Sequence, residues 1–526
     1  MTTSTARRSP LSGLRRIRIP VFWSAWALLF VLMSLWSVAT PLMASPDEPS
    51  HAIRAAAVVR GELVGDPSKS VVGATDVTVP EYVGESHHLP ACYAFRPDIT
   101  AGCEPWPSHD TTEMETTTTS TLNSPVFYMI VGAPTLVLNG APALYAMRIV
   151  TALLTSGLLA IAFAAVAGFA SRRFALIGMT LGVTPMVLFL GGTINPNPVE
   201  AAGAAATLAT MLLVFRTPSP GRTLWLRLTM LVVSVFFLVN TRSISLGWLL
   251  AITAVSVLMA DWKIFLAVFR RAASWVAVAL IGVIVAAVGL YFVIPKGLTQ
   301  GANAVGVGSS PYGAFLTTMD KTFDYGAGWI AQFGWLDTPP PGAVTVIWTV
   351  LLGSLVIAGV VLARGRLRIG LIAWLVLFFL VPPITQASLV HEWGYVWQGR
   401  YTLALFIGLA IIAGVSLDDR FGDRVFPLSG KFLITALVLV GFAQVLAFAW
   451  GLKRYIVGLN YTTSWIDMLT HPQWSPPVNW VVLTVLFALV TVIACWAIYR
   501  VITEPRKTAV PADRQSVTEP ALGAAG

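Results

Sequence analysis

Charge is what this sequence has least of: only 11% of its 526 residues are Asp, Glu, Lys or Arg, against roughly 25% in an average soluble protein. So few charges cannot cover a water-facing surface, which excludes a string of soluble domains despite the length. Cysteine is scarce as well, three in all, and no histidine stands at ligand spacing from Cys92 and Cys103, which argues against a zinc site. The sequence has no Gly-Lys-Ser/Thr phosphate loop, no His-Glu-x-x-His and no serine-nucleophile elbow. Nucleotide-driven pumping, zincin chemistry and the serine-hydrolase mechanism are set aside with them. No internal repeat is found, which disfavours transporters built from inverted halves. No central segment carries the charge ladder of a voltage sensor or proton relay.

What is present is apolar. Hydrophobic residues make up 56% of the chain and the mean hydropathy is +0.74, so most side chains must face lipid or one another. The fold class read from this is an all-α polytopic membrane protein of about 12 transmembrane helices. The net charge of +9 divides by side. Arginines and lysines gather in short breaks, among them Arg172 and Arg173, Arg216, Arg222 and Arg227, Arg364, Arg366 and Arg368. Acids gather in others, chiefly Asp47, Glu48, Glu62, Asp66, Glu81, Glu85, Asp98 and Glu104. This is the positive-inside pattern. It excludes nucleic acid as the reason for the basic pI, leaves the lipid bilayer as the first partner, and places both termini in the cytoplasm.

Residues 1–20 read as a cytoplasmic basic tail and 21–43 as the first transmembrane helix, too long and too proline-flanked to be a cleaved signal. A polar extracytoplasmic loop follows over 44–124, with a short helix from near Ser50 and much irregular chain. Oxidising surroundings there let Cys92 and Cys103 pair, closing a loop worth roughly 2–3 kcal/mol. Residues 125–500 hold an interfacial or re-entrant segment at 125–139 and the remaining bundle. Its spans are expected near 142–170, 174–193, 197–215, 224–240, 243–260, 273–295, 343–363, 369–389, 401–416, 432–452 and 478–500. Outer loops fall near 296–342, 390–400 and 453–477, and 501–526 is a disordered cytoplasmic tail.

Four words stand where helices meet the outer surface. In Ser45-Pro46-Asp47-Glu48-Pro49-Ser50-His51 two prolines fix the backbone around adjacent carboxylates. A carboxylate partly desolvated there suits a general base; the plainer reading is a pair of helix caps. In Asn195-Pro196-Asn197-Pro198-Val199-Glu200 the two amides and the acid suit a sugar, or else a turn that satisfies itself. Gln398-Gly399-Arg400-Tyr401 offers a guanidinium to a phosphate, or an anchor in an aromatic belt. Phe333-Gly334-Trp335-Leu336-Asp337 sets an aromatic platform beside an acid, which fits a sugar and equally a loop lying on lipid. Arg242 is a further outer cation.

These words, in this order and together with Pro125, Tyr128 and Thr184-Pro185-Met186, resemble a bacterial family of predicted membrane proteins with no assigned activity. That family is similar in architecture to the GT-C glycosyltransferases, which take sugars from polyprenyl-phosphate donors. The resemblance covers roughly residues 20 to 500. It implies a catalytic acid in the first outer loop, which Asp47 matches best, with Glu48 beside it. It implies a polyprenyl-phosphate sugar and a glycan or protein acceptor as partners. His51, Asn195, Asn197, Glu200, Arg242, Trp335, Asp337, Gln398, Arg400 and Tyr401 are the expected substrate-binding residues, Arg400 the first choice for the leaving phosphate and Arg242 the second. No cofactor is required on this reading; the paired acids leave a divalent metal open. A flippase of lipid-linked sugars and a non-catalytic scaffold for envelope assembly are the alternatives.

Overall fold

The computed structural model describes residues 20–293, 305–422 and 430–504. The basic N-terminal tail, the first part of the expected 296–342 loop and most of the C-terminal tail lie outside the described residues, and with them the expected placement of both termini.

Within these residues ten helices are long and apolar enough to cross a bilayer, or up to twelve when two bent pairs each count as one span. The ten run over Val21–Ala39, Gly140–Ala167, Asn197–Arg216, Gly221–Val239, Ala272–Val293, Gly342–Leu362, Gly365–Trp393, Gly399–Phe421, Lys431–Ile456 and Trp480–Thr503. Pro125–Leu136 is helical but too short to cross.

One expected span is broken, and the helix of another, 243–260, is followed by a sharp bend at its end. Residues 173–191 bend by 58° between Arg173–Gly182 and Pro185–Gly191. Pro185 has no N–H to continue the ladder, and the Thr184 hydroxyl caps the second helix by accepting from Val187 N. Residues 245–269 turn through 118° between Ser245–Leu258 and Trp262–Phe269. Asp261 starts the second helix, its carboxylate accepting from Lys263 N at 2.9 Å and Ile264 N at 3.2 Å.

The helices Asn197–Arg216 and Leu403–Phe421 are buried nearly all round and form the centre of the bundle. Small residues permit this, because helices in lipid associate through close backbone approach. At Gly178 an added Cβ would lie 2.1 Å from the Ala410 carbonyl oxygen. By contrast Ala272–Val293 and Trp480–Thr503 bury little of their surface, as lipid-facing helices do.

The two ends of the bundle differ in charge. At one, Arg216 pairs with Asp419 at 2.6 Å and Asp418 accepts from Phe174 N and Ala175 N at 3.0 and 2.9 Å. The other end is capped by residues 44–124. These are more ordered than the expected irregular chain. The helix Glu48–Val58 is followed by strands β1 (Asp66–Pro67), β2 (Thr75–Pro80) and β3 (Glu113–Thr118). They form an antiparallel sheet in that order, with Thr75 opposite Thr118 and Pro80 opposite Glu113. The Thr118 hydroxyl donates to the Ser50 carbonyl at 2.8 Å and ties the sheet to the helix. Cys92 and Cys103 are joined by a disulfide in the same cap.

Candidate functional site

Every residue from Ala39 to Val58 is buried except Asp47. Pro46 fixes the chain before it, and Asp47 itself adopts φ 61° and ψ 5°, in the left-handed region. Such a conformation costs roughly 1–2 kcal/mol for an L-residue and is tolerated best by Asn and Asp. Asp47 stands at the N-cap of Glu48–Val58 yet makes no side-chain capping bond, so the helix-cap reading of this residue does not hold. Its side chain turns instead into an opening, 44% exposed, and meets the fully buried Arg400 guanidinium in an ion pair. Arg400 Nη1 also donates to the Pro46 carbonyl at 3.1 Å and Nε to Gln398 Oε1 at 2.7 Å. The cation therefore grips both the backbone and the carboxylate of the strained turn.

A second cation stands beside the first. The Arg242 guanidinium lies 4.0 Å from the centre of the Tyr401 ring, and that of Arg400 lies 5.2 Å from it. Tyr401 is thus a shared aromatic floor for two positive charges. Arg242 Nη1 donates to Asn197 Oδ1 at 2.9 Å; its Nε and Nη2 find no acceptor among the described residues, and the side chain is 21% exposed. Arg242, not Arg400, has donors free for an incoming anion. Partial burial pushes the Asp47 carboxyl up, but the Arg400 guanidinium, helped by that of Arg242, outweighs this and holds it below the ordinary carboxylate range.

His51 lies one helical turn beyond Asp47, its N–H bonded to the Asp47 carbonyl at 3.0 Å. Its Nδ1 meets Tyr128 Oη at 2.9 Å and Ser120 Oγ at 2.8 Å. Burial, with the charges of Arg400 and Arg242, pushes the imidazole down to about 3 against the pull of Asp47. The ring is neutral at neutral pH.

The remaining expected site residues serve as supports. Glu48 is not a second open carboxylate. Its oxygens accept from Arg148 Nε at 2.7 Å and Nη2 at 2.8 Å, from Ile194 N at 3.0 Å and from Ser45 N at 3.2 Å, so four donors occupy it and the catalytic expectation fails on geometry. Arg148 also donates to the carbonyls of Ser37, Thr40 and Pro41 at 2.9, 3.0 and 2.7 Å, joining the end of the first helix to the Asp47 turn. Asn195 is buried, donating to the Pro46 carbonyl at 3.1 Å and accepting from Asn197 N at 2.9 Å. Glu200 is buried under Ser245 Oγ at 2.6 Å and Trp248 Nε1 at 3.1 Å, with Arg242 3.9 Å away. These three face the protein, not an open sugar site.

Asp337 is also enclosed, paired with buried Arg454 at 3.2 Å. Trp335 is half-buried and donates its indole N–H to the Met43 carbonyl at 3.1 Å. Arg148 and Arg454 are the residues that sequence reasoning missed. Arg148 is a lone arginine in an apolar helix, and that rarity is itself the signal; Arg454 follows Lys453 in the last turn of its helix, where a basic residue is ordinary. Among the described residues no three His, Cys, Asp or Glu side chains converge as metal ligands.

The family model described as "Predicted membrane protein (DUF2142)" matches residues 29–409. Among solved structures the chain is similar to ArnT from Cupriavidus metallidurans bound to undecaprenyl phosphate. Identity is 13% and the TM-score 0.45, over 91% of this chain and 76% of that one. No curated protein matches the chain in sequence.

Proposed function

We propose that this chain, which belongs to the DUF2142 family of predicted membrane proteins, is a glycosyltransferase of the bacterial inner membrane. It moves a sugar from a polyprenyl-phosphate donor to an acceptor hydroxyl, on an envelope glycan or glycoprotein, outside the cytoplasm. The observation that carries the reading is the isolation of Asp47: one open carboxylate in a buried stretch, facing two guanidinium groups over one tyrosine ring. A base beside paired cations is what a displacement at an anomeric carbon with a phosphate leaving group needs.

The steps follow from the positions. The donor phosphate binds the spare N–H groups of Arg242 and competes with Asp47 for Arg400. Asp47, released from its partner, gains basicity and takes the proton of the acceptor hydroxyl. That oxygen forms its bond to the anomeric carbon as the bond from that carbon to the phosphate oxygen breaks. Polyprenyl phosphate departs with the electron pair, its charge held by the two arginines. One displacement inverts the anomeric centre.

Binding tests the anion half of this. Native mass spectrometry of the protein in lipid discs with added undecaprenyl phosphate is expected to show saturable binding, weakened roughly tenfold or more by Arg242→Gln, the loss expected for one charge-assisted contact. Equal binding by wild type and variant would remove Arg242 from the site.

A further inference from the structure

The cap carries an aromatic pair that the chemistry above leaves unused. Phe95 is 69% exposed and holds φ 62°, which for a bulky side chain is a strained conformation. Its ring lies 5.5 Å from that of the half-buried Trp335, the planes inclined at 60°. An exposed ring gains nothing from apolar packing, so something else must hold the loop in this shape.

Three restraints do so. The Cys92–Cys103 disulfide closes the loop. Arg454, buried at the end of the helix Gly430–Ile456, donates to the carbonyls of Tyr93 at 3.0 Å and Arg96 at 2.9 Å, and to that of Ile99. The backbone is pinned beyond it, Leu459 N donating to the Pro97 carbonyl at 2.7 Å. Trp335 is fixed separately by its bond to Met43. Rigid aromatic faces held outward are preorganised for a ligand.

We propose that Phe95 and Trp335 form a saccharide subsite that receives the acceptor; this rests on the transferase reading above. A pyranose has an apolar face of C–H bonds, which stacks on an aromatic ring, and a rim of hydroxyls. The surroundings supply the matching rim. Arg96 and Asp98, one and three residues after Phe95, are exposed in the same loop, and the Asp98 carboxylate has no partner among the described residues. A charged rim disfavours the lipid surface as the occupant. The loop is tied to the end of the helix Gly430–Ile456 through Arg454 and Leu459. Position completes the case: Trp335 is bonded to Met43, and the four residues from there to Asp47 span at most ~14 Å. That bound puts the pair within the span of a short oligosaccharide from the Asp47 turn.

The test is binding, read apart from transfer. The full chain in lipid discs is titrated with maltotetraose, cellotetraose and chitotetraose, followed by saturation-transfer NMR and by hydrogen exchange over residues 92–98. The proposal expects at least one tetrasaccharide to bind and to protect that segment. Binding should weaken roughly tenfold in both Phe95→Ala and Phe95→Leu, the loss of one ring stack, and be retained in Asp47→Asn. Failure of all three sugars to bind, or equal binding by the Phe95 variants, overturns the subsite. So does quenching at Trp335 by brominated lipid that Phe95→Ala abolishes, which would make the pair a membrane contact. Sugar binding lost only in the Phe95 variants, with no transfer from any polyprenyl-phosphate donor, would keep the subsite and sink the transferase reading.

Discussion

Asp47 in the resting structure is a weak base, because Arg400 holds its proton affinity down. A phosphate that draws the arginines away raises that affinity at the moment a proton must be taken. The pH profile of kcat/KM reports the free enzyme. Asp47 must be ionised, so activity is lost as pH falls through its pKa, and that acid limb is expected below the ordinary Asp value of about 3.9. Arg242→Gln removes a cation that favours the carboxylate, so its limb should move to higher pH. An unmoved limb would mean that another group titrates. His51 makes the second residue-scale prediction. Its folded pKa of about 3 lies below the unfolded value of about 6.5. The neutral ring thus contributes stability that is fully present above pH 6.5 and is lost as pH falls from there toward 3. Thermal unfolding from pH 7.5 to 5 should show a falling Tm in wild type and a flatter line in His51→Gln. Parallel lines would show that His51 is not the group responsible.

At the scale of elements, the Asp47 turn is held by a lattice that begins at Glu48 and Arg148. Both side chains are fully buried, so removing one partner leaves an uncompensated buried charge, at a cost of about 3–5 kcal/mol. Arg148→Met is expected to lower folded yield and Tm sharply. The double variant Arg148→Met with Glu48→Gln should recover part of the loss, and a double variant no better than the single would show that the pair is not coupled. This pair also shows where the sequence stops being legible. Asp47 and Glu48 are chemically alike and adjacent, and only the third dimension gives one an opening and the other four donors. Asn195, Asn197 and Glu200 read as ligands because amides and an acid at a helix start suit a sugar; here the same groups satisfy the backbone and Arg242. The strands β2 and β3 went unread because their pairing spans more than thirty residues of polar, threonine-rich chain with weak alternation. The breaks at Pro185 and Asp261 were signalled by helix-start residues inside apolar runs.

For the whole molecule, the membrane architecture was legible because hydropathy over about twenty residues is a property of composition, not of tertiary contacts. The structure adds that the cap, the Asp47 opening and the aromatic pair share one end of the bundle, with Arg172, Arg216 and Asp418 at the other. The positive-inside pattern predicts that the basic end lies in the cytoplasm. In a background with serine at all three cysteine positions, Lys69→Cys should react with an impermeant maleimide on whole cells, and Thr223→Cys only after lysis. The reverse pattern would place Asp47 in the cytoplasm.

The most direct measurement is glycosyl transfer by the purified protein in lipid, from a panel of polyprenyl-phosphate sugars to an oligosaccharide acceptor, with wild type and Asp47→Asn compared. The account predicts transfer with inversion in wild type and a loss of at least about 10²-fold in a folded Asp47→Asn protein, the usual contribution of a general base. Transfer undiminished in Asp47→Asn, or lipid-linked sugar that crosses the bilayer with no new glycosidic bond, would contradict it.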